Sequence, residues 1–162
     1  MKFVILFLFI FSVALFACNQ SANNQKLQTR IDSLEHQLAN AYKPGLGEFM
    51  SGIQVHHIKL WFAGQNKNWG LADFEINEIK EALTGIQKYC KDRPEISNIE
   101  MINPAIDAVS DAIHKKDPDQ FKNSYGLLTT TCNTCHQATQ HQFNIIKIPD
   151  NPPFSDQDFQ VR

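Results

Sequence analysis

The chain has 162 residues, of which 43% are hydrophobic and 20% charged, and its formal net charge is −2. That length suits one compact domain and leaves little room for a second. The small acidic balance, with no Lys/Arg run, excludes a strongly basic nucleic-acid binder.

The first element is a targeting signal. Met1-Lys2 is a short positive start, and Phe3 to Ala17 is apolar apart from Ser12. The run matches the length of a signal-peptide core and falls short of the ~20 residues that span a bilayer. It stops at Leu15-Phe16-Ala17-Cys18 and turns polar at once. The small residue before a cysteine at that boundary resembles a bacterial lipobox. The resemblance implies a signal peptide over 1–17, cleavage before Cys18, and acylation of the Cys18 sulfur and amino group. Several acyl chains anchor stably, because each buried methylene adds ~0.8 kcal/mol. The expected location is the bacterial cell envelope, periplasmic or outer-membrane associated, with the membrane reached through the lipid anchor.

Residues 18–45 read as a tether carrying a short amphipathic helix. Leu27, Ile31, Leu34 and Leu38 alternate steps of four and three, a stripe of about two heptads. Such a helix is too short to be stable alone in water. It is a stalk, a segment that forms a homodimer, or a helix lying on the main domain. Lys43-Pro44-Gly45 then breaks it.

Four further stripes follow over 46–146. They comprise Leu46, Met50, Ile53, His57, Leu60 and Gly64; then Ala72, Ile76, Ile79, Leu83, Ile86 and Cys90; then Ile99, Ile102, Ile106, Val109 and Ile113; and last Phe121, Tyr125, Leu128, Cys132 and Cys135. Steps of three and four mark helices that bury one face. Asp92-Arg93-Pro94 ends the second helix. Asn103-Pro104 reads as an N-cap followed by proline at the first helical position, with Ile99 and Ile102 in a preceding turn. Asp117-Pro118 repeats that signal, and Gln120 sits at the capping-box position. Short loops predict an all-α fold, an up-down-up-down four-helix bundle. Trp61, Phe62, Trp69 and Phe74 are expected to seal one bundle end, and the proline-rich tail, 147–162, to run extended over the surface.

Cys132-Asn133-Thr134-Cys135-His136 is the one strong motif. Thiols three apart on a helix present both sulfurs to one porphyrin edge, and the next histidine can turn onto the iron. A thioredoxin-type pair opens a helix after a strand, whereas this pair closes a helix in an all-α pattern. A structural zinc site needs four ligands, and there is no second closely spaced Cys/His pair. A disulfide within the motif leaves His136 unexplained. Of the four cysteines, Cys18 is then assigned to lipid and Cys132 and Cys135 to one covalent haem c. Cys90, on a buried stripe, is left as an apolar filler.

A CxxCH closing the last of four helices resembles the class II cytochromes c, the cytochrome c′ type, over roughly residues 46–142. The resemblance implies a haem packed within the bundle, His136 as proximal iron ligand and a distal face formed by the first helix. The family often has a basic residue soon after the motif, where this chain has Gln137-Ala138-Thr139-Gln140. Its six-coordinate branch has a methionine early in the first helix, which Met50 matches as a candidate sixth ligand; the alternative is that Met50 is a core methionine. His57 follows about 10 Å further along the same stripe at 1.5 Å per residue. It is the lesser candidate for the sixth ligand and the better one for a histidine bonded to a carbonyl or a haem propionate. His56 falls at the bundle margin, and His36, His114 and His141 read as surface.

The expected role is one-electron transfer to a redox partner protein, not an enzymatic reaction, since no paired-carboxylate or nucleophile constellation is present. Two alternatives remain open. One is a five-coordinate haem protein that binds small gases. The other is a non-haem CxxC lipoprotein with redox or metal-binding chemistry.

Overall fold

The computed structural model describes residues 23–39 and 41–161. The expected signal peptide and Cys18, the expected lipidation site, lie outside the described residues. The fold is all-α: among the described residues there is no strand, and no helix is long and apolar enough to cross a membrane.

The chain divides into two units, Met1–Lys43 and Pro44–Arg162. In the first, helix α1 covers 23–39, and every described residue of it is exposed, including the predicted apolar stripe.

The second unit holds α2 (Leu46–Gln65), α3 (Trp69–Tyr89), α4 (Ile96–Ile99), a 3-10 turn (Glu100–Ile102), α5 (Asn103–Lys115) and α6 (Pro118–Ala138). Helix α2 packs most extensively on α3, and α5 on α6; α3 also meets α5, and α6 meets α2 and the 3-10 turn. The stripes are what these contacts bury. Ile53, Leu60, Ile76, Ile79, Ile86, Val109, Ile113, Phe121, Tyr125 and Leu128 join one core. Burial of such side chains contributes ~1.5–3 kcal/mol each before entropy is counted, which selects the helical period over any other.

The ends of the helices follow from local chemistry. Asn68 caps α3 by accepting from the Leu71 N–H at 3.2 Å. Asp117 caps α6, its Oδ1 accepting from the N–H groups of Asp119 and Gln120 at 3.0 Å each. Gln120 does not complete a capping box; its amide reaches Asp111 at 2.8 Å instead. Between α5 and α6, Lys116 takes the left-handed conformation (φ 55°) that lets the chain reverse.

Three expectations are corrected. Asn103 is not an N-cap: it is helical (φ −55°, ψ −45°), and the chain runs without a break from α4 through the 3-10 turn into α5. Burial of Ile99 and Ile102 holds that turn in helical register and overrides the bias of a residue before proline. Phe74 is exposed and is no part of the aromatic cluster, which consists of Trp61, Trp69, Phe121 and Tyr125. The tail has no helix, as predicted, but it does not simply skirt the surface. Phe159 is buried against Phe62, ring centroids 5.7 Å apart, and Asn68 Nδ2 donates to the Phe159 carbonyl at 3.4 Å.

Candidate functional site

Cys132, Cys135 and His136 occupy the last two turns of α6. Three residues apart, the two cysteines lie one above the other on one helix face. Both are free thiols. Cys132 packs against the core, and burial pushes its thiol up to about 11. Cys135 is also raised, first by burial and then by the Glu95 carboxylate. Its sulfur lies 3.9 Å from the Asn98 carbonyl of α4, so the short helix walls this side of the motif.

His136 is half-buried and held by a partner the sequence did not indicate. Its Nδ1 lies 2.7 Å from the Asn144 carbonyl. A carbonyl only accepts, so Nδ1 carries a proton, and Nε2 is the nitrogen left to offer a lone pair in the neutral ring. That is how an imidazole is oriented for a metal ion. Asn144 is brought there by a fold-back of the chain after α6. The His141 N–H donates to the His136 carbonyl at 2.6 Å, and the Asn144 N–H to the His141 carbonyl at 2.9 Å. Asn133, between the two cysteines, fastens the same segment. Its Nδ2 donates to the Ile146 carbonyl, and the Ile146 N–H donates to its Oδ1, both at 2.8 Å.

Helices α2 and α6 meet through contacts that advance in opposite directions along the two helices. Gly64 lies against Phe121 so closely that a Cβ would fall 2.1 Å from the ring. The Trp61 ring lies tilted against Tyr125, centroids 4.8 Å apart. His57, earlier in α2, reaches Tyr125 and Thr129, later in α6.

His57 is 3% exposed with both ring nitrogens engaged. Nδ1 is 2.9 Å from the Tyr125 hydroxyl and Nε2 3.0 Å from the Thr129 hydroxyl. The Tyr125 hydroxyl also lies 2.8 Å from the His57 carbonyl, and the Thr129 hydroxyl 3.0 Å from the Tyr125 carbonyl; a neutral ring has one N–H, so it donates to one hydroxyl and accepts from the other. Burial without a counter-ion lowers the His57 pKa to about 4, so the ring is neutral at pH 7. The partners are hydroxyls, where the sequence suggested a carbonyl or a propionate. Met50 is half-buried in the second turn of α2 and packs against the core edge.

The other histidines spread outward. His56 bonds the buried carboxylate of Glu75 at 2.6 Å, and Lys59 lies 3.8 Å from the other Glu75 oxygen. His114 is exposed, 3.4 Å from Asp73. His141 is half-buried, its Nε2 3.8 Å from Glu95, and so differs from the free surface residue expected. Among the described residues no three His, Cys, Asp or Glu side chains converge to hold a bare metal ion.

No protein-family model, no curated protein and no solved structure matches the chain.

Proposed function

We propose that this protein is a lipid-anchored, mono-haem c-type cytochrome that carries single electrons in the bacterial cell envelope. The observation that carries the reading is the state of the CxxCH end of α6. Two unbridged thiols share one face, and the next residue is an imidazole whose Nδ1 is already tied to a backbone carbonyl. This donor set fits a haem: Cys132 and Cys135 would form the two thioethers, and His136 Nε2 would take the proximal iron position. Once bound, the iron supplies a one-electron couple whose potential the protein sets by axial ligand and burial.

The helix contacts support an up-down-up-down arrangement of α2, α3, α5 and α6. Asp73, early in α3, lies near His114, late in α5; Phe49, early in α2, lies against Gly85, late in α3. The same register favours Met50 over His57 as the distal residue. From the His57–Thr129 contact, Met50 is seven residues back along α2 and His136 seven residues on along α6. Two helical turns in each direction bring both to the same level, ~10 Å beyond the contact. His57 would have to surrender a hydroxyl bond and a neutral buried seat to reach iron.

A pyridine haemochrome spectrum of protein matured with the haem-attachment machinery tests the reading. Covalent haem c is expected in wild type and is lost from the Cys132→Ser, Cys135→Ser double variant. A spectrum with no haem c sinks the proposal in favour of a CxxC redox or metal-binding lipoprotein. Carbon monoxide then separates electron transfer from gas binding. Slow binding in wild type and fast binding in Met50→Ala support a Met50-ligated carrier. Prompt binding in both supports a five-coordinate gas-binding haem.

A further inference from the structure

Helix α1 carries an apolar stripe that is exposed among the described residues. Leu27, Ile31, Leu34 and Leu38 are 56%, 46%, 57% and 71% exposed. Four large aliphatic side chains on one face of one helix form a patch that water penalises. The identities within the stripe say what fits it. Steps of three and four place Asn24, Ile31 and Leu38 at one core position of a heptad, a, and Leu27 and Leu34 at the other, d. Ile at a with Leu at d favours a parallel pair over larger assemblies, and a single Asn at a fixes register and two-strandedness.

The flanking charges add an independent argument. In this frame Arg30 occupies position g and Glu35 the following e, both exposed. In a parallel in-register dimer each g residue faces the e residue five places later on the partner helix. Arg30 of one chain then meets Glu35 of the other, and symmetry forms the pair twice. An antiparallel pair or a helix lying on an apolar surface has no use for that spacing.

We propose that α1 is a docking surface for a second copy of this chain, joined as a parallel, in-register two-stranded coiled coil. Its length, about 25 Å at 1.5 Å per residue, makes the association weak, because helices this short are marginal alone. It is independent of the haem reading.

The test is sedimentation equilibrium of the full-length protein in density-matched detergent, up to about 1 mM chain. Wild type is expected to dimerise reversibly, and Leu34→Glu to remain monomeric with an unchanged circular dichroism signal from the main domain. Arg30→Glu turns two attractions into repulsions and should weaken the dimer about tenfold or more. The double variant Arg30→Glu, Glu35→Arg should restore it. Leu27→Cys should cross-link to Leu27→Cys under diamide, with the bridge mapped by mass spectrometry, since equal d positions face each other only in the parallel register. A wild type monomeric throughout the range overturns the proposal. So does a dimer that survives Leu34→Glu, or a charge swap that fails to restore association.

Discussion

Acidifying the protein from pH 7 to pH 5 should lower its stability by about 2 kcal/mol through one side chain, His57. The ring is buried, with a folded pKa of about 4 against 6.5 for a free histidine. The lowered value means that the unfolded chain binds the proton more readily. Stability is therefore fully present above pH 6.5 and falls as the pH drops towards 4. With those two pKa values the histidine contributes roughly 0.2 kcal/mol of destabilisation at pH 7 and roughly 2 kcal/mol at pH 5. Free carboxylates are still mostly ionised at pH 5, and comparison with a variant that lacks only His57 removes the contribution of the other five histidines. Urea unfolding of wild type and His57→Phe at pH 7, 6 and 5 measures the difference. The phenylalanine variant leaves the Tyr125 hydroxyl its bond to the residue 57 carbonyl and Thr129 its bond to the Tyr125 carbonyl. Wild type should lose about 2 kcal/mol more than the variant between pH 7 and pH 5. Parallel pH profiles for the two proteins would refute the picture of a neutral, desolvated ring between α2 and α6.

Four substitutions test the packing around that ring and the site beyond it. Gly64→Ala forces a methyl into the Phe121 ring and should cost about 1–3 kcal/mol. Gly126→Ala meets nothing within 4 Å and should add about 0.5–1 kcal/mol from helix propensity, both read from urea midpoints. Asp117→Ala removes the acceptor of two N–H groups at the start of α6, an expected loss of about 1 kcal/mol by the same assay. Asn133→Ala cuts both bonds to Ile146. Hydrogen exchange at the 146 amide should quicken by about ten- to a hundredfold, because two net bonds of about 0.5–1.5 kcal/mol each are lost.

The helical stripes were legible because each is set by a repeated local rule. Ile76, Ile79, Val109, Ile113 and Leu128 recur at three and four, and one polar residue in the wrong place would expose the error. The boundaries were read correctly where a single side chain decides them, as at Asp117. They were misread at Asn103, where burial of Ile99 and Ile102 outweighs the dipeptide signal. The candidate site divides in the same way. The positions of Cys132, Cys135 and His136 follow from a contiguous motif. What seats His136 does not, since the Asn144 carbonyl is backbone and any residue supplies one. Nor could the partners of His57 be read from the chain, because Tyr125 and Thr129 lie far along it and meet the ring only through the register of α2 on α6. Glu75 gave no warning of its burial: a carboxylate on a charged helix reads as solvated until His56 and Lys59 arrive from the neighbouring helix.

That register also separates stability from chemistry along one interface. At one end, glycine at 64 lets Phe121 and the tryptophans close the core without a gap. In the middle, a neutral histidine and two hydroxyls satisfy one another, so the polarity there is consumed. At the far end Met50, Cys132, Cys135 and His136 are all only half-buried. The side chains at that end lie beyond the aromatic core, beside the fold-back at 141–146 that Asn133 and His136 hold. On the proposed reading this is why a histidine two turns nearer the core is the wrong place for an iron ligand. Recruiting His57 would break its contacts with the Tyr125 and Thr129 hydroxyls, at about 0.5–1.5 kcal/mol each, whereas the Met50 thioether has no such bond to lose.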